Sequence, residues 1–224
     1  MQTLKNNYVE LAVRDAHMDR SAIILGGGSS SRFGEDKGIL ELNNKPLLNH
    51  TLDAIKDIVD EMIIITSSKE RADAYAKIVS SNVHFAIDIE DCKGPLVGAL
   101  TGFETAQGKY SLLLPFDAPF VSREVVSFLF ELCIGKSAVI PRWPDNKIEP
   151  LQAVYHTKQA LEAAREALAN GQLDVRAIIN RLRGVRYVST LVIEQLDPEL
   201  RTFFNINTPL DLKKATNLAK SRRR

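Results

Sequence analysis

The stretch Ser21 to Lys37, SAIILGGGSSSRFGEDK, decides how this chain is read. Five residues suited to a buried strand, Ser21 to Leu25, run directly into Gly26, Gly27 and Gly28. A strand that ends in consecutive glycines lets backbone N–H groups turn toward a ligand with no Cβ in the way. Three serines follow, then Arg32, Gly34 and the acid–base pair Asp36 and Lys37. Arg can fork across two phosphate oxygens, and Lys supplies a compact charge, so this loop suits a polyphosphate.

Two common phosphate loops are excluded by spacing. A Walker A loop needs GxxxxGK and then Ser or Thr, whereas Gly28 is followed five residues later by Phe33, and Gly34 by Glu35. The dinucleotide fingerprint GxGxxG is met at Gly26 and Gly28 but puts Ser31 at its third glycine. The acid expected after the second strand is also missing, because that strand ends Thr66-Ser67-Ser68.

Outward from the loop, short apolar runs alternate with helical patterns, the mark of an α/β domain with a parallel sheet. Ile39 to Leu42 reads as a short extended piece, Asn43-Asn44 as a turn, and Pro46 as the first position of a helix reaching Val59. Met62–Thr66 is a strand buried on both sides. A helix from Lys69 to Val79, the strand His84–Asp88, and a helix from Gly94 to Ala106 follow. The strand Ser111–Asp117 is apolar until it delivers Pro115 and Asp117. Ser122 caps a helix reaching Cys133. Ser137–Pro141 and Leu151–Tyr155 read as extended, Thr157–Ala169 and Val175–Arg183 as helices, Val185–Ser189 and Phe203–Ile206 as strands. Thr208-Pro209 opens the last helix.

Composition narrows the function classes. With 29 Lys and Arg against 28 Asp and Glu, the net charge of +1 gives no support to a general nucleic-acid or membrane-surface role. No apolar run approaches the roughly 20 residues needed to span a bilayer. The first 20 residues carry Glu10, Arg14, Asp15 and Asp19 where an export signal needs an apolar core, and read as a tail or surface helix. Cys92 and Cys133 lack CxxC spacing and read as free thiols. His17, His50, His84 and His156 show no metal-ligand spacing and read as packing or surface residues.

In an open α/β sheet, ligands collect at the carboxyl ends of the strands. That rule selects the glycine loop after Leu25, Asp88, Asp117 and the segment Asn205 to Pro209. Asp117 is a hard oxygen ligand at a strand tip, the kind that holds Mg²⁺ together with substrate phosphates, although Asp before Ala-Pro is also ordinary turn chemistry. Asp88 stands near Glu90 and Asp91, which an exposed acidic turn would equally produce.

The loop pattern LxGGxSSRxGxDK resembles the signature of the GT-A-like nucleotidyltransferases, the molybdenum cofactor guanylyltransferases in particular. The resemblance extends over Ser21 to Leu218 through GPLVGAL (Gly94 to Leu100), LLPFDAPFVS (Leu113 to Ser122), EPLQAVY (Glu149 to Tyr155) and FNINTPLDL (Phe204 to Leu212). It implies a three-layer, Rossmann-like (GT-A-like) α/β fold with a mostly parallel central sheet. Residues 21–219 would be one domain, between the tail 1–20 and a basic tail 220–224. It implies a Mg²⁺-dependent transfer of GMP from GTP to molybdopterin cofactor, giving the guanine dinucleotide form and pyrophosphate.

The same resemblance assigns residues. Asp117 would bind Mg²⁺ and the nucleotide phosphates, and Asp88 is the acid expected before GPLxG. Lys37 would contact the α-phosphate region and Arg32 the departing pyrophosphate. Backbone amides at Leu25, Gly26 and Gly27 would hold base and phosphates. Asn205 and Asn207, in the Asn-x-Asn-Thr-Pro ending, are candidates for the pterin or the product dinucleotide, and equally for closing a strand-to-helix turn. Cytidylyltransferase relatives more often show Asp-x-Asp-Thr-Pro there. Alternatives are a molybdenum cofactor cytidylyltransferase, a sugar-phosphate nucleotidyltransferase and a non-catalytic nucleotide-binding subunit. The expected partners are GTP, molybdopterin cofactor and molybdenum- or tungsten-insertion proteins or acceptor enzymes, with no nucleic acid and no membrane, in the cytoplasm. Three departures stand out: Gly26 replaces the usual Ala, a change expected to be harmless or slightly loosening; Phe33 replaces Met; and Thr66 to Ser68 lacks an Asn.

Overall fold

The computed structural model describes residues 19–26, 36–79, 82–88 and 94–221. Among the described residues seven strands, β1 (Arg20–Leu25), β2 (Glu61–Thr66), β3 (His84–Ile87), β4 (Tyr110–Pro115), β5 (Ala138–Arg142), β6 (Ala153–His156) and β7 (Val185–Ser189), form one sheet in the order β3-β2-β1-β4-β6-β5-β7. The first four run parallel; β6 is antiparallel to both its neighbours, and β7 is parallel to β5. The sheet is therefore mostly parallel, as the alternating pattern implies.

Among the described residues the strands are joined and followed by the helices α1 (Leu47–Ile55), α2 (Lys69–Ala76), α3 (Pro95–Thr105), α4 (Arg123–Cys133), α5 (Thr157–Ala169), α6 (Arg176–Ile179), α7 (Thr190–Ile193) and α8 (Pro209–Ser221). Because side chains alternate along a strand, each central strand feeds two cores. Ala22, Ile24, Met62, Ile64, Leu112 and Leu114 pack against α1, α2 and α4, with Leu52, Tyr75 and Phe130 among the buried partners. Ile23, Leu25, Ile63, Ile65 and Leu113 pack against α3, α5 and α6 through Leu100, Phe103, Ala164 and Ile178. This double coverage is why β1, β2 and β4 read as unbroken apolar runs. A third cluster of Leu42, Leu47, Phe120, Ile206 and Ala215 fastens α8 to the segment before α1.

Local signals set most helix starts. Ser68 and Ser122 accept from the N–H groups of Arg71 and Val125 (3.3 Å each), and Pro95 opens α3, where a missing N–H costs nothing. Thr208 and Asp211 bond reciprocally at the start of α8, Thr208 N to Asp211 Oδ2 at 2.9 Å and Asp211 N to Thr208 Oγ1 at 3.2 Å.

Several sequence expectations are corrected. Phe203–Ile206 is not a strand: Arg201–Phe203 forms a 3₁₀ turn, and Phe204 N donates back to Arg201 O at 2.9 Å. The strand beside β4, on the side away from β1, is β6. Leu40 to Leu42 pairs back on Lys45 to Leu47 across the predicted Asn43-Asn44 turn, although only a single bridge, Glu41 to Pro46, forms, and Pro46 caps α1 rather than starting it. That helix ends at Ile55 and α2 at Ala76, both short of the predicted Val59 and Val79. The predicted helix 175–183 shrinks to Arg176–Ile179, and α7 carries no sequence signal strong enough to anticipate. β1 takes in Arg20 from the stretch read as a tail.

Candidate active site

The strand order reverses between β1 and β4: the chain first builds outward through β2 and β3, then returns to the other side of β1. Such a switch point leaves a crevice at the carboxyl ends of the two strands. Leu25 of β1 and Pro115 of β4 are paired there, and Phe116 N reaches Leu25 O at 3.4 Å. Asp117 lies in the turn just past β4 rather than in the strand itself. Thr51 of α1 holds this turn by donating to the carbonyls of Phe116 and Ala118, at 3.2 Å each.

Three polar side chains converge on the crevice. Lys37 Nζ stands 3.3 Å from Asp117 Oδ2 and 3.1 Å from Asn207 Oδ1. The backbone joins the same groups, since Ile206 N donates to Asp117 O at 3.0 Å. Asp117 is only 8% exposed, and burial raises its carboxyl above the ordinary value against the opposing pull of the Lys37 charge. This is a carboxylate whose charge is costly to bury and would be relieved by a cation.

The other expected residues are placed around this centre. Asn205 is one step removed, its Oδ1 accepting from Gln152 Nε2 at 3.1 Å, while the same amide donates to Thr202 O at 3.0 Å. Asp88 follows β3, two strands from β1 and so about 10 Å across the sheet. Its N–H donates to Thr66 O at 2.7 Å and its Oδ1 accepts from Thr101 of α3 at 3.1 Å. Leu25 and Gly26 end β1, but the Gly26 N–H already donates to Ile65 O at 2.8 Å, so that amide is engaged by the sheet. A Cβ at Gly26 would lie 2.8 Å from that oxygen, so here Gly is required and its replacement of Ala is not a neutral loosening. Gly27 and Arg32 lie outside the described residues, as does Cys92. Cys133 is buried among apolar side chains, which pushes its thiol up to about 12, and it offers no nucleophile. His50 packs with its Nε2 2.9 Å from Leu42 O.

Gln152 and Asp36 were not singled out for any role by the sequence. Gln152 is buried just before β6, and a polar residue within the apolar run Leu151 to Tyr155 is the signal that marks it. Gln152→Leu is expected to strand the acceptors of Thr202 and Asn205, destabilising the protein by about 1–3 kcal/mol in a denaturant melt. An unchanged midpoint would show that Asn205 is anchored by something else. A cavity of about 490 Å³ lined by Asp19, Asp57, Asp60 and Arg123 lies at the amino ends of the strands, away from this cluster.

A mostly parallel α/β sheet with a lysine, a carboxylate and an asparagine gathered at its switch point is an arrangement suited to a nucleotidyltransferase. Residues 22–186 match the MobA-like NTP transferase domain, and the chain belongs to that family. It is 36% identical to a probable molybdenum cofactor guanylyltransferase of Methanosarcina mazei, over 91% of this chain and 92% of that protein. It is 31% identical to a molybdenum cofactor guanylyltransferase of Desulfosudis oleivorans, over 91% and 97%. The crystal structure of molybdopterin-guanine dinucleotide biosynthesis protein A from Archaeoglobus fulgidus superposes with a TM-score of 0.76 at 26% identity, covering 90% of this chain and 99% of that one.

Proposed function

We propose that the chain transfers GMP from GTP to the terminal phosphate of molybdopterin cofactor, releasing pyrophosphate. The observation that carries this reading is the meeting of Lys37, Asp117 and Asn207 at the switch point. It joins the glycine-loop lysine to the Asn-x-Asn-Thr-Pro segment, in a chain similar over nine-tenths of its length to proteins named as guanylyltransferases. An acceptor phosphate oxygen attacks the α-phosphorus of GTP in line, and the bond to the bridging oxygen of the departing pyrophosphate breaks. Lys37 balances the charge that shifts during this transfer, and Arg32 serves the leaving pyrophosphate. Leu25, Gly26 and Gly27 border the nucleotide, with Asp88 on its far side. Asn207 orients Lys37 and the acceptor, and Asn205, held by Gln152, lines the acceptor side.

The donor set fits Mg²⁺. One carboxylate at a strand tip leaves most of an octahedral shell to phosphate oxygens and water, and among the described residues no group of three or more His, Cys, Asp or Glu is gathered into a cage. When bound, the ion would neutralise phosphate charge beside Asp117. Residues 21–219 are taken as one domain, supported by the single sheet that runs through them. No described helix is long and apolar enough to cross a membrane. The proposed setting is the cytoplasm, with molybdenum- or tungsten-handling proteins supplying the acceptor or receiving the product.

Pyrophosphate release measured with each nucleoside triphosphate, with and without molybdopterin cofactor, tests the assignment. Release from GTP that requires the pterin is expected. Preference for CTP, or release driven by a sugar phosphate, would replace this reading with one of its relatives.

A further inference from the structure

Tyr75 of α2 is fully buried, yet its ring lies against backbone at both ends of the stretch 27–35. A Cβ at Gly26 would sit 3.2 Å from the ring, and one at Gly38 only 2.6 Å from Cζ and the hydroxyl. At Gly38 the aromatic ring occupies the space a side chain would need, and at Gly26 it adds to the closer Ile65 carbonyl. The Tyr75 hydroxyl donates to Asp36 Oδ1 at 2.6 Å, and the same oxygen accepts the Gly38 N–H at 2.9 Å. The other carboxylate oxygen pairs with Arg71 Nε at 2.7 Å, and Arg71 Nη1 donates to Ser67 Oγ at 3.1 Å. Arg71 and Tyr75 are four residues apart, one turn on the same face of α2. Asp36 thus receives three donors, two of them from a helix seated on the sheet by its Ser68 cap.

We propose that Tyr75, Asp36 and Arg71 are positioning residues for Lys37: they fasten the backbone on either side of that lysine to α2 and set where its ammonium meets Asp117. Asp36 precedes Lys37 and Gly38 follows it, so one carboxylate ties the residue before the lysine to α2 and holds the peptide N–H just after it. Charge-assisted bonds of this kind are the strong ones, and a misplacement of about 1 Å in a reacting group can cost on the order of 100-fold in rate. Burial raises the Tyr75 phenol above its ordinary value, which keeps it a donor across the working pH range. The inference rests on reading Lys37 as the lysine that serves the transferred phosphate.

Tyr75→Phe keeps the ring between the two glycines and removes only the hydroxyl. It is expected to lower kcat about 10- to 100-fold, with KM for GTP moving far less and the thermal midpoint falling by only several degrees, so that the protein stays folded at the assay temperature. Asp36→Asn should do the same, and the double variant should lose little beyond Asp36→Asn alone, because both act through one contact. Hydrogen exchange at the Gly38 amide should quicken in both. Wild-type kcat in Tyr75→Phe and Asp36→Asn, or a fall that only follows the folded fraction, overturns the proposal. If the wild-type protein releases pyrophosphate from no nucleotide, the guanylyl-transfer reading fails, whereas unchanged Gly38 exchange in the variants rejects the positioning role by itself.

Discussion

Asp117→Asn is expected to reduce guanylyl transfer by roughly 10²- to 10³-fold or more while leaving the protein at least as stable as the parent at neutral pH. The two halves of that result have one cause. Burial holds the Asp117 carboxyl above its ordinary value of 3.8, so the native state binds this proton more tightly than the unfolded chain does. Below about pH 4 the group is protonated in both states and carries no penalty. As pH rises through its folded value the penalty grows, and above that value it stays constant. An amide of the same shape removes the penalty and with it the negative oxygen that would meet a divalent cation. Thermal melts from pH 4 to pH 8 should show the asparagine variant gaining on the parent as pH rises. A variant that transfers GMP at the parental rate would remove Asp117 from the chemistry, and one that melts well below the parent would contradict the strain described.

Lys37→Ala is expected to lose a comparable factor in kcat/KM but to behave oppositely in stability. The side chains of Lys37 and Asp117 are only 14% and 11% exposed, so removing the lysine leaves a buried carboxylate without its cationic partner. That should lower stability by about 3 kcal/mol, the lower end of what breaking a buried ion pair takes. Combining Lys37→Ala with Asp117→Asn should restore most of the stability and none of the activity. Denaturant melts of the two single variants and the double variant measure the coupling directly. Additive losses would mean that the 3.3 Å contact contributes nothing to the fold.

Much of this architecture could be read from the chain because its signals are local. β1, β2 and β4 are buried on both faces, so each is a continuous apolar run that no surface element imitates. Val185–Ser189 and Thr157–Ala169 fall where periodicity puts them. The error at Phe203–Ile206 has a clear origin. Phe203, Phe204 and Ile206 have strand-like side chains, but their N–H groups donate to the carbonyls of Leu200, Arg201 and Asp117, none of them in a strand. Apolar content reports burial there, not pairing.

The candidate site divides in the same way. The glycine loop, Lys37 and Asp117 are visible as composition placed after strand-like runs, and the Asn-x-Asn-Thr-Pro segment as a motif, although no strand immediately precedes it. Their meeting is not, since Lys37 and Asn207 are 170 residues apart in sequence. The sequence by itself determined an α/β chain with a phosphate-binding loop and a carboxylate at a strand tip, because propensity, periodicity and glycine placement act over a few residues. Only the tertiary structure decided that β6 enters antiparallel beside β4, that Ile206 N closes on Asp117 O, and that Tyr75 fills the space between Gly26 and Gly38. Those contacts depend on the order in which strands join the sheet and on the close packing of side chains between layers, and neither leaves a short-range trace in the chain.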